Sequence, residues 1–295
     1  MLNGIVNILK PPGMSSHDVV SFVRRTLGIK KVGHAGTLDP DAVGVLPVFV
    51  GNATRLIEYT ADADKNYRVR LKFGVKTDTG DDSGKTIATS EILPLSNAAI
   101  TAALTHFTGM QQQVPPMYSA LKINGQKLYQ LARKGIDVER ESRAIFIHKL
   151  DLLQSYEDGL LLDVVCSKGT YIRTLVEDIS EYLHMVGTMS FLLRTRVGAF
   201  EIASACTLEE LADSKEACLI PAEQAIAHLP IVKATANQGL RFTQGVMTTF
   251  RGISEELPDG STVAVYSESE QMLGIGQLLG ERIKPKKVFV TTQNN

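Results

Sequence analysis

Residues 158–184 read DGLLLDVVCSKGTYIRTLVEDISEYLH, and this stretch decides the fold. Its first part is a run of leucines and valines of strand length that stops at Ser167-Lys168-Gly169. Its second part places Ile172, Leu175, Val176, Ile179 and Leu183 on one face of a helix. A strand, a short turn and an amphipathic helix therefore follow one another. The neighbouring segments mix the same elements without strict alternation. YRVRLKFGV (67–75) alternates as a half-buried strand and runs into KTDTGDDSGK (76–85), which reads as a hairpin or loop. SNAAITAALTHFTG (96–109) is a helix with Ser96 as N-cap and Gly109 as its stop, and GQKLYQLARKG (125–135) is another closed by Gly135. This order favours an α+β fold on a mostly antiparallel mixed sheet over a doubly wound one.

The acidic segment LEELADSKEACLIPAEQAIAHLP (208–230) reads as helical and ends at Pro230. Beyond it, GLRFTQGV (239–246), GSTVAVYSE (260–268), QMLGIGQLLG (271–280) and KPKKVFV (284–290) read as short strands. The expected organisation is a large domain over residues 1–230 and a small β-rich one over 231–295.

Composition bounds the function. Of 295 residues, 44% are hydrophobic and 21% charged, the balance of a folded protein with a sizeable core. The net charge of −1 excludes a uniformly basic nucleic-acid binder, but the charges are segregated. Residues 1–35 hold Lys10, Arg24, Arg25, Lys30 and Lys31 against Asp18; residues 117–150 hold seven Lys/Arg against three acids; residues 201–223 hold six acids against Lys215. One face is free to follow phosphates. The three cysteines, Cys166, Cys206 and Cys218, lack zinc or disulfide-framework spacing and suit a reducing compartment. No leader-like or membrane-spanning run is visible, so a cytoplasmic protein is expected.

The densest chemistry lies in HAGTLDPDAVGVL (34–46). Pro40 biases Asp39 away from helical dihedrals, Gly36 and Gly44 permit unusual ones, and an apolar run follows. Asp39 thus sits on a shaped loop at the mouth of the core. Asp39 and Asp41 lack the further oxygen ligands a hard cation needs, and TDTGDDSG misses the spacing of a calcium loop, so no metal is expected.

Set beside KPPGMSSHD (10–18), KNYRVRL (65–71), YSALKINGQKLYQLARKG (118–135) and SKGTYIRTLVEDI (167–179), this loop resembles the TruB-type tRNA pseudouridine synthases, which make pseudouridine-55 in the T loop of tRNA. The resemblance spans nearly all of residues 4–230. It implies that Asp39 is the catalytic aspartate, Arg173 the arginine paired with it, Tyr67 the aromatic residue stacked on the target base, and His34 a residue holding the opened T loop. It further implies that Tyr171 and Leu192 line the uridine pocket, that KINGQKLYQLARKG is a mobile element closing over RNA, and that the tail is a PUA-type RNA-binding domain. A central RNA-binding cleft follows, with Lys10, Lys122, Lys127, Arg133 and Lys134 as candidate backbone contacts. The chain departs from the family's usual pattern at Leu193, where an arginine is common, and at Leu9, where a polar residue is common.

The implied reaction suits these residue types. It breaks N1–C1′, turns the uracil and rejoins it through C5, with no net redox change or phosphate transfer, so no cofactor is expected. A carboxylate serves at a sugar carbon, as in glycoside cleavage, and must stay ionised in a dry pocket, which a bidentate arginine favours. Arg173 falls in the first helical turn, where the helix dipole disfavours a cation, so local helix energetics do not explain it. The base must also leave its stack, which calls for a flat replacement surface. The T arm of tRNA is the expected partner, with no membrane, no obligatory protein partner and a monomeric state. The competing readings are a tRNA-binding or tRNA-folding protein without catalysis, and a carboxylate hydrolase yielding free base.

Overall fold

The computed structural model describes residues 4–123, 125–250, 253 and 257–289. The chain opens with β1 (Gly4–Lys10), buried along its length. Helix α1 (Ser16–Leu27) follows because Ser15 and Asp18 form a reciprocal capping box and Gly28, at φ 67°, ends it in a left-handed cap. Its buried face, Val19, Val20 and Val23, packs on Val6, Ile8, Leu46 and Val48. β2 (Val32–His34) and β3 (Val43–Val50) then pair, with the loop 35–42 between them. A 3₁₀ turn over 51–56 leads to α2 (Ile57–Ala61).

β4 (Lys65–Phe73) alternates as its sequence predicts, burying Lys65, Tyr67, Val69, Leu71 and Phe73. Each fully buried apolar side chain of this kind contributes about 1.5–3 kcal/mol. β5 (Val75–Thr77) and β6 (Thr86–Thr89) form a hairpin carrying the acidic loop 78–85. Helix α3 (Asn97–Phe107), capped by Ser96 as expected, precedes β7 (Gly109–Gln113). A small hairpin of β8 (Lys122–Ile123) and β9 (Gln126–Lys127) runs into α4 (Leu128–Ala132), a helix shorter than the sequence suggests.

β10 (Arg143–Tyr156), β11 (Gly159–Cys166), α5 (Ile172–Tyr182) and β12 (Gly187–Val197) follow, and the opening stretch is the strand, turn and helix it promised. β13 (Phe200–Glu201) and β14 (Leu219–Ile220) flank α6 (Leu208–Ser214). The order in the large sheet is β14-β1-β3-β12-β4-β11-β10-β7, with β2 on β3 and β13 on β12. All pairings are antiparallel except β3–β12, so the sheet is mixed and mostly antiparallel, as expected. Helix α5 covers it with Leu175, Val176 and Ile179, in one cluster with Val69, Leu71 and Met189.

The last part is a five-stranded sheet, β15 (Ile231–Ala234), β16 (Thr248–Thr249), β17 (Thr262–Ser267), β18 (Met272–Leu279) and β19 (Arg282–Val288), with α7 (Ala236–Thr243) against it. It has its own core around Phe242, Val263, Val265 and Leu278. It also shares one with the large sheet, where Ala264, Met272 and Ile275 meet Ile5, Phe49 and Leu56. Lys287 pairs with Glu58 across that seam at 2.8 Å.

Two sequence expectations are corrected. GLRFTQGV lies mostly in α7, not a strand: Thr235 and Gln238 form a capping box just before it, and Phe242 packs into the local core. The segment 208–230 is not one helix. It breaks after Ser214 at Lys215, where φ is 34°, and Leu219–Ile220 leave to pair with β1.

Candidate active site

The loop 35–42 is fastened from beneath. Lys10, at the end of β1, is fully buried, and its Nζ donates to the carbonyls of Pro40 and Ala42, both at 2.7 Å, and of Pro11 at 2.9 Å. Burial lowers its pKa to about 8 against the pull of Asp41 and Asp39. Lys10 is therefore corrected from a phosphate contact to a strut of the loop: it has no surface to offer RNA, and its three donors are in use. Ser16 Oγ adds a second fastening, accepting from Leu38 N at 2.8 Å and donating to Leu38 O at 3.0 Å.

Asp39 is presented at the top of this loop. Its Oδ2 lies 3.0 Å from Arg173 Nε, and Arg173 Nη2 reaches Oδ1 at 3.4 Å. Arg173 is buried and occupies the first turn of α5. Its orientation is set from two further sides, since Nη1 donates to Thr79 O at 2.8 Å and Nη2 to Tyr118 O at 2.7 Å. Two backbone carbonyls and a carboxylate thus compensate for the unfavourable end of the helix dipole. The Asp39 side chain keeps 37% of its surface open. Burial pushes its pKa up, with Asp81 adding to the rise, while Arg173 and Lys10 pull it down.

Asp81 was not singled out by sequence reading. Its Oδ2 stands 4.0 Å from Arg173 Nε, so two carboxylates share one guanidinium. Its Oδ1 accepts from Thr79 Oγ1, Ser83 N and Ser83 Oγ, which locks the loop 78–85. The alternation of Asp, Thr, Ser and Gly there announced a turn, and only the bridge of Asp81 to Met189 on β12 brings it to α5.

Tyr67 and Leu192 are buried on β4 and β12 and share one apolar cluster with Leu38 and Ala42 of the loop 35–42. Burial raises the Tyr67 phenol's pKa, and the adjacent Arg194 guanidinium opposes it. Tyr171, N-cap of α5, is held through its backbone by Gln113: Tyr171 N donates to Oε1 at 2.8 Å, and Nε2 donates to Tyr171 O at 3.1 Å. His34 ends β2 opposite Val48, and burial followed by Arg194 pushes its pKa down, so it is neutral at physiological pH. The structure brings Asp39, Arg173, Tyr67 and Leu192 into one set around the loop, with Tyr171 one residue before α5.

Lys122, Lys127, Arg133 and Lys134 stand apart on the β8–β9 hairpin and the end of α4. Lys122 and Lys127 face each other in register, and the Lys127 ammonium and Arg133 guanidinium lie 5.6 Å and 5.4 Å from the Tyr129 ring centroid. Exposed Arg133 and Lys134 extend this cationic edge. No group of three or more His, Cys, Asp or Glu among the described residues is arranged to hold a metal ion.

The family model of the TruB pseudouridylate synthase N-terminal domain matches residues 24–172, and that of the tRNA pseudouridylate synthase B C-terminal domain matches 173–227. The chain belongs to the TruB family. A tRNA pseudouridine synthase B of Symbiobacterium thermophilum is 51% identical over 85% of this chain and 84% of its own. Its counterpart in Alkaliphilus oremlandii is 43% identical over 98% of this chain and 97% of its own. A chain of a solved Cbf5–Nop10–Gar1 complex superposes with a TM-score of 0.77 at 26% identity, covering 98% of this chain and 85% of that one. Like other TruB-family members the chain is a pseudouridine synthase, an isomerase, and the reading as a purely binding protein is not favoured. The matched models include His34, Asp39, Tyr67 and Tyr171 in the first and Arg173 and Leu192 in the second.

Proposed function

We propose that this protein converts uridine to pseudouridine at position 55 in the T loop of tRNA, with Asp39 as the group that engages the ribose. The observation that carries this reading is the Asp39–Arg173 pair, a part-exposed carboxylate gripped by a buried guanidinium beside the apolar cluster that holds Tyr67 and Leu192. The relatives at 41–51% identity that are named tRNA pseudouridine synthase B support the substrate. Once the uracil is flipped out, Tyr67 offers it a flat face, with Tyr171 and Leu192 closing the sides. Asp39 then meets C1′ as the N1–C1′ bond breaks, the base turns, and C5 bonds to C1′ and loses its proton. His34, neutral and at the lip of the loop, fills the space the base leaves.

Lys122, Lys127, Arg133 and Lys134 would track the phosphates of the stem without reading its sequence. We assign residues 1–230 to catalysis and 231–295 to a second, PUA-like RNA contact, in a monomeric cytoplasmic protein.

The test is tritium release from a T-arm stem-loop labelled at uridine C5, comparing the protein with Asp39→Asn. Release that depends on Asp39 is the expected result. Tight RNA binding by both proteins without release from either would overturn the assignment in favour of a binding or folding role.

A further inference from the structure

We propose that Cys206 and Cys218 form a reversible redox pair, closing an intramolecular disulfide when the protein meets a peroxide. Sequence spacing gives no hint of this, because residues 207–217 separate them. The fold folds that segment back on itself. Cys206 is stitched to the free edge of β1: its N–H donates to Asn7 O at 2.8 Å, its carbonyl accepts from Leu9 N at 2.8 Å, and it bridges Ile8 in parallel. The same edge is taken next by β14, with Leu219 opposite Val6 and Ile220 opposite Ile5. Cys218 directly precedes Leu219, so both cysteines arrive beside the middle of β1. Neighbouring places along one strand edge are the placement a disulfide needs.

Their side chains converge as well. Both pack on one apolar cluster, with Val6, Ile8 and Leu211, and the Cys218 thiol is near enough to act on that of Cys206. The Cys206 thiol is pushed up to about 12 by burial and by Cys218 beside it, so Cys206 keeps its proton and is the second sulfur to react. Both residues are only partly buried, which leaves a path for a small oxidant. Cys166 is the internal contrast. It is fully buried on β11, burial raises its thiol to about 11, and neither other cysteine is packed in its cluster.

The chemistry closes on itself. The Cys218 thiolate attacks a peroxide oxygen, the O–O bond breaks, and hydroxide leaves, giving a sulfenic acid at Cys218. Cys206 sulfur then attacks the sulfenic sulfur, its proton leaves with the departing hydroxide as water, and the S–S bond forms. Two thiols are oxidised and one peroxide is reduced to water. A dithiol reverses the step by exchange. The bond ties the α6 segment to the β14–β1 edge and leaves the loop 35–42 untouched.

The experiment uses the full-length protein, reduced and then treated with hydrogen peroxide, with free thiols alkylated before digestion and mass spectrometry. The expected product is one cross-linked peptide pair containing Cys206 and Cys218, with Cys166 alkylated only after unfolding. Dithiothreitol should remove the cross-link, and the melting temperature should rise by several degrees on oxidation and fall back on reduction, as loop closure requires. Cys206→Ser should lose both effects, while pseudouridine formation in the reduced state is unchanged. Three thiols still open to alkylation after peroxide, a bond that includes Cys166, a bond between molecules, or sulfinic acid at Cys218 without a cross-link would each overturn the proposal.

Discussion

Tyr67 and Arg194 are register partners on β4 and β12, and both are buried, with the guanidinium beside the phenol. Arg194 has no carboxylate ion pair among the described residues. Its Nε donates to Val45 O at 2.8 Å, Nη2 to Gly36 O at 3.2 Å and Nη1 to Thr37 O at 3.4 Å. One buried cation thus joins both ends of the loop 35–42 to Tyr67. Arg194→Met leaves the buried Val45 carbonyl and the part-buried Gly36 and Thr37 carbonyls without their donor, the buried one alone worth about 1–3 kcal/mol, and empties the site of a fully buried side chain. Urea denaturation should show a loss of about 3 kcal/mol or more. A loss within about 0.5 kcal/mol, as at ordinary surface sites, would mean that the loop does not depend on this bond network.

Arg173 makes a different prediction. It grips Asp39 through Nε and Nη2 and reaches two carbonyls besides. A lysine carries the charge but lacks the planar fork, so it satisfies some of these partners and abandons the rest. Arg173→Lys should lower single-turnover rates on the order of 100-fold while the RNA dissociation constant stays close to that of the parent. Equal losses in binding and turnover would place Arg173 on the RNA instead of on Asp39.

Asp81 acts on Asp39 by charge. As a neighbouring anion it helps to raise the pKa of Asp39, so removing its charge favours ionisation of Asp39 at lower pH. Asp81→Asn should move the acid limb of the pH–rate profile downward, and the looser guanidinium should cost about tenfold in maximal rate. An acid limb that stays in place would show that Asp39 and Asp81 do not communicate.

Gly44 is required by geometry. Its φ is 111°, and a Cβ there would lie 2.2 Å from the carbonyl oxygen of Arg194. Gly44→Ala must both strain the backbone and force β3 and β12 apart where they run parallel. A stability loss of about 3 kcal/mol is expected in chemical denaturation, together with reduced activity, because the loop is anchored there.

How much of this was legible follows from the range of each interaction. The strand–turn–helix of residues 158–184 and the cap at Ser96 are local patterns, and both appear as read. Asp39 and Arg173 were named together only because their two motifs resemble one family, since they lie 134 positions apart in the chain. Asp81 escaped notice because Asp, Thr, Ser and Gly write the same signature for any turn, and its meaning comes from a contact across the sheet. Lys10 misled because Lys-Pro-Pro looks solvated, whereas its ammonium is buried against two carbonyls of the loop 35–42 and that of Pro11. The helix α7 was in fact announced by Thr235 and Gln238, a capping box outweighed by the strand-like composition of GLRFTQGV.

Asp178 offers a test of stability that leaves the Asp39–Arg173 pair alone. It lies on α5 in a cavity of about 360 Å³ lined by Phe107, Gln113, Leu175, Glu181 and Tyr182. Its pKa is raised from 3.8 to about 6, first by burial, then by Glu177 and Glu181, with Lys76 opposing. The folded protein therefore holds this proton to higher pH than the unfolded chain. The resulting stabilisation is fully present below about 3.8 and is lost as the pH rises through about 6. At neutral pH the ionised carboxylate is a net cost, which solvent on its open side reduces to about 1–2 kcal/mol. Asp178→Asn removes that cost, so the variant should be the more stable protein at pH 8 and should match the parent near pH 4. Urea denaturation at the two pH values decides it: a gain that persists at low pH would come from packing, and no gain at pH 8 would mean that the carboxylate is better solvated than its cavity suggests.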